Sequence, residues 1–347
     1  MSTCLISIII PSYRTEAQVL QRCLVSVNRQ RFDDSNICIE CLILFDGKPD
    51  PSLIKMIRQI SLSDSIVFKP VVLSHSGVST TRNQGIKLSQ GKWIAFVDAD
   101  DELPDNALNT LVEYGDKYNC DIVQGSYITK LAASTEHHIY QPESVLFERE
   151  KLEELRYDIL SPDQGLGLVW GKLFLRSFLI DNSILFDSSV AVGEDTAFVF
   201  SAALAAKRVG SIPQDVYRYY RNMGSAVTAF RSDYVDRIVT SMRAMRKLII
   251  QSNHPEYISG LNDYVLFHLL LIQLHYLFHP QAPWTEAERK AEYRRVLAMT
   301  VFAEPLRLGG FQRFGLAKRI SLSTLRHHWF LASRFIAWIR RLQINGL

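Results

Sequence analysis

The densest reactive chemistry in the chain lies in Lys92–Asp105, KWIAFVDADDELPD, where an apolar run ends in five acids within eight residues. Like charges at such spacing repel one another. No Lys or Ser is interspersed among these acids, so the cluster calls for a positive partner from elsewhere. Asp98 and Asp100 form a D-x-D pair directly after the apolar run. Paired carboxylates on a turn at a strand's carboxyl end suit a hard divalent cation that keeps several waters and bridges to a diphosphate. Asp105, after Pro104, is placed to cap the helix that follows, while Asp101 and Glu102 receive no role. A second acid pair, Glu194–Asp195, follows Gly193; taken alone, it reads as a helix-capping pair.

Positioning the first cluster requires a sheet. LISIII (Leu5–Ile10) is a continuous β-branched run stopped by Pro11, as expected for a parallel strand covered on both faces. The next segment has Val19, Leu20, Cys23, Leu24 and Val27 at helical spacing. IECLILF is a second strand, residues 51–62 a helix, IVFKPVVL a third strand, Val78–Ser89 a helix and Trp93–Val97 a fourth strand. This alternation predicts an α/β fold: a Rossmann-like, mostly parallel sheet with helices on both faces. Ligands of such sheets bind at the carboxyl ends of the strands, where the acid- and Gly-rich turns fall. A helix is expected over 105–118, a mixed region after it, and helices from about Ser232 onward.

Composition narrows the class. The 347 residues are 47% hydrophobic and 22% charged, which excludes a disordered chain. Five cysteines, all within the first 120 residues, form no disulfide framework and point to a reducing compartment. The lone CxxC of Cys38 and Cys41 has no second ligand pair and reads as half-buried strand residues. No secretory signal is visible at the start. YVLFHLLLIQLHYLF (Tyr264–Phe278) is short of the roughly 20 residues of a membrane span and reads as a buried helix. From Pro305 onward there are eight basic residues and no acid, leaving 31 basic against 36 acidic residues in 1–304. An acidic body thus carries a basic tail.

ISIIIPSY, ECLILFDGKPD, GVSTTRNQGIKLSQGKWIAFVDADD and VGEDTAF, in this order, resemble the family 2 glycosyltransferases of GT-A fold, over about residues 4–225. The resemblance implies transfer of a sugar from a nucleotide-diphosphate donor. It assigns Pro11 and Tyr13 to the nucleotide pocket, Tyr13 packing on the base, with Glu16 the acid that follows. Asp100 becomes the first metal ligand for Mn2+ or Mg2+, and Asp98 a ligand of ribose or metal. Arg82, beside Asn83, could serve a negative group at the start of its helix. The family turn with two consecutive acids is here Phe45-Asp46-Gly47-Lys48, so Asp46 alone is left to meet a base such as uracil. Asp195, with Glu194 second, matches the general base of an inverting transfer. Trp170 and Lys172 could line the sugar or diphosphate site, the plain alternative being a core Trp and a surface Lys. Arg221 and Ser225 are further diphosphate contacts by the same resemblance.

On a helical wheel Arg319, Arg326, Arg334 and Arg341 share one face, and Ile320, Leu331, Phe335, Trp338, Ile339 and Leu342 another. Residues 314–343 are therefore expected to form a basic amphipathic helix on an anionic membrane surface. No nucleic-acid motif accompanies the basic stripe. The expected organisation is a GT-A catalytic domain over 1–228 and a helical C-terminal region over 229–347. The expected activity is an inverting transfer from a nucleotide sugar, UDP-linked by preference, to a lipid-linked or oligosaccharide acceptor. The expected location is cytoplasmic, peripheral to the inner face of the membrane. A nucleotidyltransferase and a non-catalytic membrane-associated scaffold are the competing classes.

Overall fold

The structure is a computed structural model describing residues 4–32, 37–60, 66–131, 134–161, 165–221 and 230–344. It divides into two compact units, Met1–Ile159 with Leu166–Ser188 and Glu194–Asn222, and Leu160–Gly165 with Ser189–Gly193 and Met223–Leu347.

In the first unit the elements run β1 (Cys4–Ser12), α1 (Ala17–Asn28), β2 (Cys38–Asp46), α2 (Pro51–Ile60), β3 (Ile66–Leu73), α3 (Val78–Leu88), β4 (Trp93–Phe96), α4 (Ala107–Tyr118), β5 (Ile122–Lys130), β6 (Thr135–His138), β7 (Val145–Phe147), α5 (Glu150–Ile159), β8 (Lys172–Leu175), α6 (Arg176–Asp181), α7 (Glu194–Ala205) and β9 (Val209–Tyr220). The strands form one sheet in the order β3-β2-β1-β4-β8-β5-β9-β7, with β6 paired to β5. β3, β2, β1 and β4 are mutually parallel, and β8 enters antiparallel to both β4 and β5.

The β-branched run in β1 is central because both its faces can be buried: Ile6, Ile8, Ile9 and Ile10 have no exposed surface. Register then sets the functional edge. Ser12 lies opposite Phe45, Asp46 opposite Leu73, and Ile9 opposite Phe96. The carboxyl ends of four strands therefore share one rim, with the turns at Tyr13, Gly47, His75 and Asp98 along it.

The second unit is helical in its described residues: α8 (Tyr234–Gln251), α9 (Ile258–Ile272), a π-helical turn (Gln273–Leu277), α10 (Glu286–Ala298), α11 (Thr300–Leu308), α12 (Leu316–Arg326) and α13 (Phe330–Ile344). The apolar run expected to be a buried helix is α9 and its π turn, with Leu266, Leu269, Ile272 and Leu277 fully buried. Burial lowers the His268 imidazole to a pKa of about 4, so it sits neutral, bonded through Nδ1 to the Tyr264 carbonyl. Among the described residues no helix is long and apolar enough to cross a membrane.

The tail is not one helix. His328 has φ 55°, its N–H bonds the Leu325 carbonyl at 3.1 Å, and the Trp329 N–H bonds the Thr324 carbonyl at 2.9 Å. This is a Schellman closure, which ends α12 and starts α13 in a new direction. The wheel drawn through 314–343 therefore fails, and the basic face is largely engaged. Arg326 donates to the Arg307 and Gly309 carbonyls, Arg334 pairs with Glu286 at 2.9 Å, and Arg341 bonds the Phe278 carbonyl. The apolar face is what stays open: Leu316 and Ile320 on α12, Leu331, Phe335 and Trp338 on α13, and Trp329 between them are each half or more exposed.

Candidate active site

α3 lies flush on the sheet because Gly85 leaves no side chain between them; a Cβ there would sit 2.5 Å from Ile9 Cγ2. The helix begins after Gly77, whose φ of 88° suits glycine, and one turn before Gly85 it carries Arg82 to the rim. Arg82 is neither a solvated helical arginine nor open to a ligand. It is 3% exposed and meets three carboxylates: Asp195 at 2.6 Å, Asp98 at 2.9 Å and Glu194 at 3.6 Å. Asp98 follows β4, and Glu194 and Asp195 form the first turn of α7. The arginine thus joins two acid motifs about 100 residues apart in the chain, each partly exposed beside it.

The electrostatics follow from that contact. Burial works against the Arg82 charge, but Asp195, Asp98 and Glu194 outweigh it and raise its pKa further. Burial pushes the Asp195 carboxyl up; Arg82 opposes this, while Glu194 and Asp98 add to it. A carboxylate whose pKa is raised is a stronger base, better able to take a proton from a hydroxyl.

The D-x-D turn is held from β9. Asp101 is fully buried and accepts from Tyr217 Oη at 2.8 Å and from the Tyr220 N–H at 2.8 Å, while Tyr217 Oη also accepts the Asp98 N–H at 3.0 Å. Burial, reinforced by Asp98, raises the Asp101 carboxyl to about 8. Glu102 pairs with Arg22 at 3.1 Å and Arg218 at 3.5 Å, and Arg22 lies over the Tyr220 ring. Two acids without a role in sequence terms are thus the anchors of the turn. Asp98 is left partly exposed and Asp100 exposed, and burial with the nearby Asp98 charge raises the Asp100 pKa. Asp105 does not cap α4. The helix starts two residues later, after Asn106 in a left-handed conformation, with no side-chain cap bond.

Trp170 is a core residue, 4% exposed and stacked on Tyr217 at 4.3 Å. Lys172 is not on the surface: it is 3% exposed, and among the described residues its Nζ has no hydrogen-bond partner. The ammonium lies 5.4 Å over the Tyr140 ring. Burial lowers its pKa to about 7, against the pull of the Asp195 charge. Arg221 is exposed and bonds Lys130 through its backbone, and Ser225 lies outside the described residues.

Further along the rim is a hollow of about 560 Å³ lined by Tyr13, Asp46, Lys48 and His75, among others. Tyr13 is half exposed there, with its ring stacked on His75 at 4.5 Å. Pro11 does not stop β1 but pairs within it opposite Leu44, one residue before its end, and Glu16 is exposed at the start of α1, outside the lining. Asp46 does not present a free carboxylate. It accepts from the Ser76 N–H at 2.7 Å, the Gly77 N–H at 3.0 Å and His75 Nδ1 at 2.9 Å.

Among the described residues no group of three or more ligand-type side chains could hold a metal unaided. The donor set of Asp98 and Asp100 nevertheless fits Mn2+ or Mg2+, which take one or two carboxylates together with substrate phosphates and water.

Sequence reasoning missed Tyr217, Asp101, Arg22 and His75. Only Asp101 carried a signal, as the second acid of a doublet that a single metal pair does not use.

The model of the family described as Glycosyl transferase family 2 matches residues 7–181, just over half of the chain. The chain is 29% identical to the uncharacterized glycosyltransferase EpsJ of Bacillus subtilis over 64% of its own length and 62% of the relative's. It is 27% identical to the poly(ribitol-phosphate) beta-N-acetylglucosaminyltransferase TarP of Staphylococcus aureus over 62% of each. The chain thus spans somewhat under two-thirds of the length of these relatives. In three dimensions it is similar to S. aureus TarS 1-349, solved in complex with UDP-GlcNAc. The TM-score is 0.67 at 16% identity, covering 98% of this chain and 92% of that one.

Proposed function

Because the chain belongs to glycosyl transferase family 2 and has the GT-A fold, we propose that it moves a sugar from a UDP-sugar to a hydroxyl of a growing surface glycan, with inversion at C1. The observation that carries this reading is Arg82, whose guanidinium touches the D-x-D turn and the α7 acids together. In this reading Asp195, backed by Glu194, takes the proton of the acceptor hydroxyl as its oxygen bonds to C1. The bond from C1 to the diphosphate oxygen breaks, and an α-linked donor yields a β-linked product. Asp98 and Asp100 would hold Mn2+ or Mg2+, which would supply positive charge to offset that of the departing diphosphate. Arg82 holds Asp195 in place, and the Lys172 ammonium favours its ionised form. The hollow at Tyr13 takes the nucleotide, and Pro11 and Glu16, which flank its lining in sequence, would contribute through their neighbours. Trp170 supports the site from the core.

The catalytic region in this reading is 1–228, and 229–347 is the helical region that brings it to its acceptor. The open apolar face of α12 and α13, in a segment rich in Arg and Lys, suits the interface of an anionic bilayer. That would place the protein in the cytoplasm, on the inner face of the membrane, where a polyprenyl-diphosphate-linked glycan is within reach.

Two measurements test the reading. Purified protein with Mn2+ and UDP-sugars should release UDP; release of pyrophosphate would mark a nucleotidyltransferase instead. Asp195→Asn should bind the donor and fail to transfer, whereas Asp100→Asn should lose metal-dependent donor binding. Normal transfer by Asp195→Asn overturns the base assignment. For the membrane, replacing Leu331, Phe335 and Trp338 with Ser should abolish co-sedimentation with anionic vesicles, and unchanged sedimentation refutes that part.

A further inference from the structure

Asp46 is the acid left at the turn to meet the base, yet its carboxylate is occupied by two backbone N–H groups and by His75. We propose that His75 reads the donor's base in its place, accepting the imide N–H of uracil through Nε2. The inference rests on the hollow being the nucleotide pocket.

The chemistry follows from the hydrogen-bond inventory. A carboxylate only accepts, so the bond of 2.9 Å between His75 Nδ1 and Asp46 Oδ2 must have its proton on Nδ1. In the neutral ring the other nitrogen then carries a lone pair. The side chain lines the hollow and is 59% exposed, and among the described residues no hydrogen bond engages its Nε2. The ring cannot turn freely, because Asp46 pins one edge and Tyr13 stacks on its face at 4.5 Å with an interplanar angle of 15°. Asp46 is itself 5% exposed and fixed by the start of α3. The hollow therefore presents an oriented acceptor beside a flat aromatic surface, with Lys48 in the same lining as a donor for a carbonyl oxygen.

Such an acceptor discriminates among bases. Uracil offers an N–H between two carbonyls, and guanine offers a ring N–H. Cytosine and adenine present a lone pair at the corresponding position, which would face the Nε2 lone pair. A site built to pair with an N–H rejects an analogue that lacks it, because its own polar group is left unmatched.

The test is isothermal titration of the full chain with UDP, CDP and GDP in the presence of Mn2+, for wild type, His75→Asn and His75→Gln. Asn keeps a donor for Asp46 and removes the acceptor at Nε2; Gln places an amide oxygen near it. UDP should bind wild type at least about tenfold more tightly than CDP, the scale of one neutral hydrogen bond. His75→Asn should weaken UDP by a similar factor and bring the UDP-to-CDP ratio close to one, and His75→Gln should restore most of it. GDP bound like UDP, and lost with it in His75→Asn, supports the imide reading with guanine included. Equal binding of CDP and UDP by wild type overturns the inference, as does a folded His75→Asn that keeps the wild-type ratio. If wild type binds none of the three, the nucleotide-pocket reading fails and this inference with it, a result distinct from binding that ignores His75.

Discussion

Replacing Arg82 with Met removes a cation of similar reach and leaves the volume nearly filled, so the effect isolates charge. The guanidinium is 3% exposed and offsets Asp98, Glu194 and Asp195, at 2.9, 3.6 and 2.6 Å. Breaking a buried ion pair by deleting one partner costs about 3–5 kcal/mol, because the other charge stays buried and uncompensated. At about 2–4 °C per kcal/mol for a unit of roughly two hundred residues, the melting temperature should fall by about 6–20 °C. The loss should depend on pH with a definite sign. Without Arg82, which holds it down, the folded-state pKa of Asp195 rises further above its unfolded value near 4. Between those values the folded chain binds more protons than the unfolded one, so its stability increases as pH falls. Thermal unfolding of wild type and Arg82→Met at pH 8 and pH 5.5 should show the gap narrowing at the lower pH. Adding Asp195→Asn to the variant should recover part of the loss at pH 8. A gap below about 1 kcal/mol at pH 8, or one that does not narrow, refutes the charge-hub account.

Two other substitutions probe neighbouring groups. Lys172→Met should stabilise the protein by about 1–3 kcal/mol at pH 7, since it removes a buried amine without a hydrogen bond. The folded pKa of about 7 lies below the unfolded value, so the gain should be largest at and below pH 7 and shrink as pH rises toward 10; a less stable variant would mean the amine has a stabilising partner. Asp101 has a folded pKa of about 8, above its unfolded value, so it lends stability at low pH that is lost as pH rises through 8. Asp101→Asn should remove that slope, and parallel melting-temperature profiles from pH 5 to 8 for variant and wild type would contradict it.

Where chemistry and local pattern coincide, the chain was legible. β1, β2 and β3 are β-branched apolar runs ended by turn residues, and they fold where the pattern puts them. The D-x-D turn and the Glu194–Asp195 pair stand out because acids crowd there against apolar flanks. What stayed hidden depends on partners distant in sequence. Nothing near Arg82 foretells Asp195, 113 positions on, and nothing near Asp101 foretells Tyr217, 116 positions on. The break between α12 and α13 escaped notice for a local reason. Its left-handed residue is His328, where glycine or asparagine would have flagged the stop. The capping role of Asp105 failed because Asn106 takes the left-handed turn and the helix starts after it.

The place of β8 in the sheet bears on how this chain can fold. β4 is finished by Phe96, yet its second neighbour is supplied by Lys172–Leu175, and β5 waits for the same strand. A chain emerging vectorially completes the parallel set β3-β2-β1-β4 well before that strand exists. Until then two open sheet edges face solvent, each able to pair with another nascent chain. Closing them needs contacts across 80 residues from Ile94 to Phe174 and 52 from Ile122 to Phe174, which delays the slow non-local step to the middle of synthesis. The late arrival of β8 therefore sets the interval in which the growing chain is most exposed to misassembly.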